Sequence, residues 1–96
     1  MPGLVRVGDL CTGHTGSYPP RPCIEGSSNV FINGRGVHRK GDAWDIHCNF
    51  WSCHGGRMAE GMPNVFINGI PAAFVGGLIS CGSRVAQGSG NVFSGG

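Results

Sequence analysis

The chain has 96 residues, enough for one domain, and a domain of this size buries only about 60 to 65% of the surface of its unfolded chain. Glycine occupies 19 positions and proline 6, which excludes a helix bundle, because each glycine inside a helix costs about 1 kcal/mol relative to alanine. Charged residues make up 12% of the chain, and the net charge of +2 without a basic cluster argues against nucleic acid as the main partner. A turn-rich all-β fold is expected.

The N-terminal segment, residues 1–9, lacks the apolar core of a signal peptide, and the chain contains no stretch approaching the ~18 apolar residues of a membrane span. We therefore expect a protein made in the cytoplasm; if it leaves the cell, it does so by a route that does not read such a signal. The five cysteines are an odd number, which favours thiols or metal ligands over a disulfide framework.

A threefold internal repeat organises the chain. The segment GSSNVFING at residues 26–34 recurs as GMPNVFING at 61–69 and, shortened, as GSGNVFSG at 88–95. A second element alternates with it: Val7-Gly8-Asp9, Lys40-Gly41-Asp42 and Val75-Gly76-Gly77. Each unit is thus a Gly-Asp type turn, a loop of variable length and a short apolar strand.

The pairs Asn33-Gly34 and Asn68-Gly69 predict two hairpins with type I′ turns, because both central positions of that turn require positive φ. Each turn joins a Val-Phe-Ile strand to the next segment, residues 35–39 or 70–75. Strands this short cannot bury a core alone, so three units are expected to pack around a common axis. A linear solenoid is the less favoured alternative.

Potential metal ligands recur in one slot of the repeat. His14 lies five residues after Asp9, His47 lies five after Asp42, and Cys81 lies four after Gly77, the equivalent of those aspartates. Equivalent positions near a threefold axis converge, and His54 in the long second loop is the natural fourth ligand. Three imidazoles and one thiolate suit a single Zn²⁺, and four protein ligands predict a structural rather than a catalytic ion.

The second loop also offers a rival, local ligand set, formed by His47, Cys48, Cys53 and His54. Alternatively, Cys48 and Cys53 are buried thiols or form a short disulfide. Cys11 and Cys23 are interpreted as packing residues.

The aromatic residues fall into two groups. Repetition favours core packing for Phe31, Phe66 and Phe93. The residues around His47 are expected to cover the metal site with apolar surface: Trp44, Phe50 and Trp51. His38 has no counterpart in the other repeats and is interpreted as a surface or interface residue, and Tyr18–Pro22 as a stiff turn.

The sequence contains no catalytic constellation. No serine stands in a Gly-x-Ser-x-Gly context, and the repeat aspartates Asp9 and Asp42 are expected to bond their own backbone. The chain is therefore predicted not to be an enzyme.

A family resemblance rests on Pro71-Ala72-Ala73-Phe74, which follows Asn68-Gly69 directly. Further support comes from the repeated Asn-Val-Phe-Ile-Asn-Gly, the two Gly-Asp turns, and Gly13-His14, His47, Cys53-His54 and Cys81-Gly82. Over essentially its whole length the chain resembles the PAAR-repeat (proline-alanine-alanine-arginine) family, whose members tip contractile injection machines. Phe74 stands where the motif has its arginine.

The resemblance implies a small pseudo-threefold cone of three short β-hairpin repeats with a zinc near the apex, bound by three histidines and one cysteine. Those positions match His14, His47, His54 and Cys81. The base of the cone would cap a trimeric β-helical (VgrG-like) spike, one cap per trimer, in a type VI secretion system or a phage tail. The cap would sharpen the spike, help it to pierce the target membrane, touch that membrane only on injection, and leave the cell at the tip of the machine.

Many members carry effector domains, whereas residues 1–96 are expected to form a single PAAR-repeat domain without an effector extension. Two other function classes remain open: a zinc-dependent hydrolase acting on the cell envelope, and a metal-binding adaptor.

Overall fold

The structure is a computed structural model that describes residues 2–93, and within this range the chain is all-β, without a helix. The strands form three two-stranded antiparallel sheets: β1 (Phe31–Ile32) with β2 (Arg35–Gly36), β3 (Ala43–Cys48) with β4 (Cys53–Arg57), and β5 (Phe66–Ile67) with β6 (Ile70–Pro71). A search of the described residues for a helix long and apolar enough to span a bilayer finds none.

Both Asn-Gly hairpins are confirmed. Asn33 and Gly34 have φ of 53° and 78°, and Asn68 and Gly69 have φ of 56° and 76°, as a type I′ turn requires. The turns pair β1 with β2 and β5 with β6 in the same register.

The third copy of the repeat forms its hairpin with the N-terminus of the chain. The backbone N–H of Leu4 donates to the carbonyl of Val92 (3.0 Å), and Gly3 bridges Phe93. In the other two copies the equivalent backbone hydrogen bonds run from the N–H of Val37 to the carbonyl of Val30 (3.1 Å) and from the N–H of Ala72 to the carbonyl of Val65 (2.9 Å). The two ends of the chain thus close a ring, which excludes the linear solenoid. The last two residues of the third copy, 94 and 95, lie outside the described range.

The core consists of two stacked layers that follow the repeat. The layer beside the hairpins is formed by Leu4, Ile32, Val37 and Ala72. The next layer, on which the long loops rest, is larger and is formed by Val5, Cys11, Cys23, Trp44, Met58, Ala73, Ile79 and Val85. Burial of Cys11 and Cys23 confirms them as packing residues, and burial raises the pKa of Cys23 to about 11, so that it stays a thiol.

His38 was predicted at the surface, and this is wrong: it is fully buried, at the position that Val5 and Ala73 occupy in the other copies. Its Nδ1 donates to the carbonyl of Glu25 (2.6 Å), and its ring meets Trp44 edge to face. Hydrogen bonding to a main-chain carbonyl makes an imidazole acceptable at an apolar position.

The repeat phenylalanines were predicted to pack in the core, and this is also wrong. Phe31, Phe66 and Phe93 are 59%, 57% and 45% exposed. Side chains alternate along a strand, so that in the first two copies the flanking valine and isoleucine point inward and the phenylalanine between them points outward.

The repeat aspartates bond the backbone of their own turns, as predicted. Asp9 accepts from the backbone N–H of Arg6 (2.8 Å), and Asp42 accepts from that of Arg39 (2.9 Å). Each carboxylate is also paired with the guanidinium of the same arginine, at 2.9 and 2.8 Å. These turns fix the direction in which the long loops leave the ring.

Candidate metal centre

The β3–β4 hairpin places two histidines opposite each other, with their rings edge to face. His47 and His54 are cross-strand partners in the register, one pair before the turn, and an irregularity between Trp44 and His47 shifts the register just before them. His14 reaches them from the first loop, and Cys81 reaches them from the third. Loops from all three repeats therefore converge on one point, as predicted from the equivalent positions in the three repeats.

The four potential ligand atoms all lie within 4.8 Å of one another. The Nε2 atoms of the three histidines form a small triangle: His14 to His47 is 3.1 Å, His14 to His54 is 2.9 Å, and His47 to His54 is 2.8 Å. Cys81 is a free, half-buried thiol, and the histidines are half-buried or buried.

The other ring nitrogens indicate where two of these imidazoles carry a proton. Nδ1 of His14 lies 2.9 Å from the carbonyl of Thr15, and Nδ1 of His47 lies 2.9 Å from the carbonyl of Pro19. A carbonyl only accepts, so both Nδ1 atoms carry a proton, and in the neutral form of each ring Nε2 presents a lone pair. Two such lone pairs at 3.1 Å repel each other unless a proton or a metal cation lies between them.

A bound metal ion resolves this repulsion, and the donor set fits one. Zn–N bonds of about 2.0–2.1 Å in a tetrahedron place the nitrogens roughly 3.3 Å apart, close to the triangle observed here. The carbonyls of Thr15 and Pro19 orient the rings, which is the usual arrangement around a metal-bound histidine. Partial desolvation and the two neighbouring imidazoles lower the pKa of His54, which favours the neutral form that binds metal.

Tyr18 covers the histidine cluster, a role that the sequence analysis missed. Its ring centroid lies 4.3 Å from that of His54, 4.6 Å from His14 and 5.0 Å from His47. The predicted cover is wrong: Trp44 is buried in the core, and Phe50 and Trp51 point into solvent. The one signal in the sequence was a tyrosine placed four residues after His14, directly before two prolines.

The rival ligand set within the second loop is wrong. Cys48 and Cys53 are joined to each other in a disulfide between the last residue of β3 and the first of β4. Their sulfurs are therefore unavailable as thiolate ligands, and both residues are exposed. The disulfide closes the hairpin one residue pair beyond His47 and His54.

Comparison with known proteins agrees with this geometry. A family model of the PAAR motif matches residues 52–96. Two curated toxins of Pseudomonas aeruginosa, the NAD(P)(+) glycohydrolase toxin Tse6 and the (p)ppApp synthetase toxin Tas1, are each 38% identical over 98% of this chain. The chain spans 22% of the length of each of these relatives.

An all-β ring of three repeats with a His/Cys cluster in its loops, together with the matched motif, defines the class of protein. It is the class that carries the PAAR motif, which lies at residues 52–96 of this chain, as its repeat pattern indicated.

Proposed function

We propose that this chain is a non-enzymatic spike-tip protein, which caps and sharpens a trimeric β-helical spike of a contractile injection machine and helps it to pierce a target membrane. In this proposal the ring of repeat hairpins binds the blunt end of the spike, one cap per trimer. The machine is a type VI secretion system or a phage tail, and it delivers the cap outside the cell.

The proposal rests above all on the three repeat phenylalanines. Phe31, Phe66 and Phe93 occupy equivalent positions around the pseudo-threefold axis, and each is roughly half exposed. Three equivalent apolar side chains around one axis match a trimeric partner, which offers three equivalent contact sites around its own axis. Exposed apolar side chains arranged in this way are typical of a protein interface.

The three hairpins are also held at fixed relative positions, as a docking surface needs. Ser27 Oγ donates to Asn68 Oδ1 (2.7 Å), and Ser89 Oγ donates to Asn33 Oδ1 (2.8 Å), so that each bond links two copies of the repeat. A preorganised surface loses little conformational entropy on binding.

The proposal assigns one structural zinc ion to His14, His47, His54 and Cys81. The close triangle of three Nε2 atoms supports a cation at this point, and the mixed imidazole and thiolate set favours zinc. When bound, the ion would link loops from all three repeats, and four protein ligands would leave no position for a reacting water.

The relatives support the non-enzymatic part of the proposal. The names of the two toxins state different activities, glycohydrolase and synthetase, yet this chain matches an equal 22% of each. The two toxins thus share this segment but not their chemistry. A common task, such as delivery, explains the shared segment better than either reaction does.

The experiment that tests the cap is binding to the VgrG-like spike trimer of its host, measured by calorimetry with the zinc-loaded protein. We expect one cap per trimer, and at least a tenfold loss of affinity (about 1.4 kcal/mol) in a Phe31→Asp, Phe66→Asp variant. Phe50→Ser, Trp51→Ser is the matched control, because it also removes two exposed aromatics but not from the ring. Equal affinities of the two variants would refute the assignment of the ring as the spike-binding face.

A second candidate is a carrier module for a toxin, favoured by the match of 98% of this chain to a fifth of each of two toxins. A glycohydrolase domain fused after residue 96 should then be delivered by the machine, and delivery should be lost in the Phe31→Asp, Phe66→Asp variant. Delivery that persists in that variant would separate the carrier role from spike binding.

A further inference from the structure

The turn between β3 and β4, residues 49–52, exposes two large aromatic side chains next to each other. Phe50 is 94% exposed and Trp51 is 91% exposed, more than any other large apolar residue in the described part of the chain. Each is nearly free of protein contact, and neither contributes to the core or to the metal centre. A small domain with little exposed charge does not keep such a pair at its surface without a use.

The turn is held rigidly in place. The Cys48–Cys53 disulfide closes its base, and Asn49 Nδ2 donates to the carbonyl of Gly16 in the neighbouring loop (2.7 Å). The hydroxyls of Tyr18 and Ser52 form a further hydrogen bond. The two aromatics are thus presented by a preorganised turn, which reduces the entropy lost when they are buried.

Three backbone N–H groups of the turn are satisfied within it. Asn49 Oδ1 accepts from the backbone N–H of Trp51 (2.8 Å) and from that of Ser52 (2.8 Å), and the N–H of Asn49 donates to the carbonyl of Ser52 (3.0 Å). Residues 46–56 also contain no Asp, Glu, Lys or Arg. An apolar medium therefore meets neither a formal charge nor these three backbone donors, which lowers the free-energy cost of entering it.

From this combination we infer that residues 49–52 are a membrane-insertion turn, which places Phe50 and Trp51 in the interfacial region of a phospholipid bilayer. Tryptophan prefers this region, because its ring is apolar while its indole N–H keeps a polar partner. The inference rests on the proposed function, which brings this end of the molecule to a membrane, and it names the residues that make the contact.

The charge and shape of the turn favour lipid over a protein partner. The contact would be made by a projecting pair without flanking charges, whereas protein interfaces surround a central anchor with a polar rim that fixes orientation. The ring phenylalanines differ in this respect. They are only 45–59% exposed, and their hairpins also carry the polar serine and asparagine side chains that link the repeats.

Vesicle flotation with the zinc-loaded protein tests the inference. Two vesicle types are used, one of phosphatidylcholine and one of phosphatidylethanolamine with a minority of phosphatidylglycerol. We expect partitioning into both types, and roughly a tenfold or greater loss in a Phe50→Ser, Trp51→Ser variant, because each side chain would bury most of its apolar surface. Phe31→Ser, Phe66→Ser is the matched control and should partition like the wild type. Trp51 fluorescence should shift to the blue in wild type and in Phe50→Ser, with the buried Trp44 as a constant background.

A Cys48→Ser, Cys53→Ser variant should partition several-fold less well than wild type, because its turn must be ordered on insertion. No partitioning of the wild type would overturn the inference. Partitioning confined to the phosphatidylglycerol vesicles and unchanged in the Phe50→Ser, Trp51→Ser variant would overturn it as well, in favour of charge attraction. An equal loss in the ring control would overturn the inference by assigning the two aromatics to a general apolar surface. Recovery of the protein only as self-associated particles would overturn it by assigning them to contact between copies.

Failure of this inference can be told from failure of the proposed function, because spike binding is measured on the same variants. A Phe50→Ser, Trp51→Ser protein that keeps its spike affinity and also its vesicle binding refutes the insertion turn and leaves the cap intact.

Discussion

Two regions of this molecule are stabilised in different ways. The ring, residues 3–5, 30–37, 65–72 and 92–93, consists of three nearly equivalent units joined by equivalent backbone hydrogen bonds around an apolar layer. The long loops, residues 10–22, 43–57 and 78–84, differ in length and carry the histidine cluster, a disulfide and the exposed aromatic turn. Repetition stabilises the ring, whereas single, specific links hold the ends of the loops.

This difference shows how a small domain can support unequal loops. The ring needs only short apolar side chains, because each unit is buried by its neighbours. The loop ends project beyond the core and cannot gain the same burial, so that their geometry depends on cross-links. The ring and the loop ends should therefore respond separately to different perturbations.

The largest expected effect is the loss of the metal ion from the loops. On the proposed assignment, a free zinc concentration about 1,000 times the Kd contributes about 4 kcal/mol, which a chelator removes. We expect amide hydrogen exchange after chelation to rise by at least tenfold at residues 46–54, while residues 30–37 in the ring keep their protection. Mass spectrometry of exchanged peptides measures both regions in one experiment.

The control for chelation is His47→Ala, in which the chelator should have no further effect because the zinc is already lost. A uniform rise of exchange across ring and loops would contradict the separation of the two regions, and unchanged exchange would contradict the structural role of the ion.

The second effect is directed at the ring. Leu4 is 5% exposed, belongs to the ring layer of the core and lies on the N-terminal segment that closes the third hairpin. Leu4→Ala leaves a cavity and should lower the free energy of unfolding by about 2 to 5 kcal/mol, measured by urea denaturation.

Ile24→Ala is the matched comparison, because Ile24 is 57% exposed, and its truncation should change the stability by about 0.5 kcal/mol or less. If the two variants unfold at the same urea concentration, the N-terminal segment does not close the ring in solution.

The threefold internal repeat was enough to predict much of this architecture. It predicted the Asn-Gly hairpins, the common axis and the meeting of His14, His47 and Cys81, because all of these follow from local turn chemistry and equivalence of position. His54 was added to this set as the natural fourth member from the long second loop, and the structure brings it to the same point. The ligand role and the identity of the ion stay predictions.

The errors arose where alternation or distant segments decide the outcome. The outward direction of Phe31 follows from the period of two along its strand, which the sequence already contained. The cover of the histidines by Tyr18 depends on the packing of separate loops, which a single sequence does not reveal. The disulfide between Cys48 and Cys53 was one of the alternatives left open by the sequence, and the hairpin register decides in its favour.

The smallest effect at neutral pH concerns His38, which lies between the two regions. Burial lowers its pKa, and so does the charge of Arg39, whereas the Glu25 carbonyl and the carboxylates of Asp42 and Glu25 act in the opposite direction. The unfolded chain therefore binds this proton first as the pH falls, so that the contribution of a neutral His38 is complete above pH about 6.5 and declines below it.

A His38→Asn variant keeps a side-chain donor for the Glu25 carbonyl but cannot titrate. Its stability should fall less steeply than that of wild type below pH about 6.5, by at most about 1.4 kcal/mol per pH unit, in urea denaturation series. On the proposed assignment, the histidines of the loops would lose their zinc in acid in both proteins, so the difference between the two series isolates His38. Parallel series would mean that the imidazole binds its proton as readily in the folded state as in the unfolded one, which its buried place beside Trp44 does not favour.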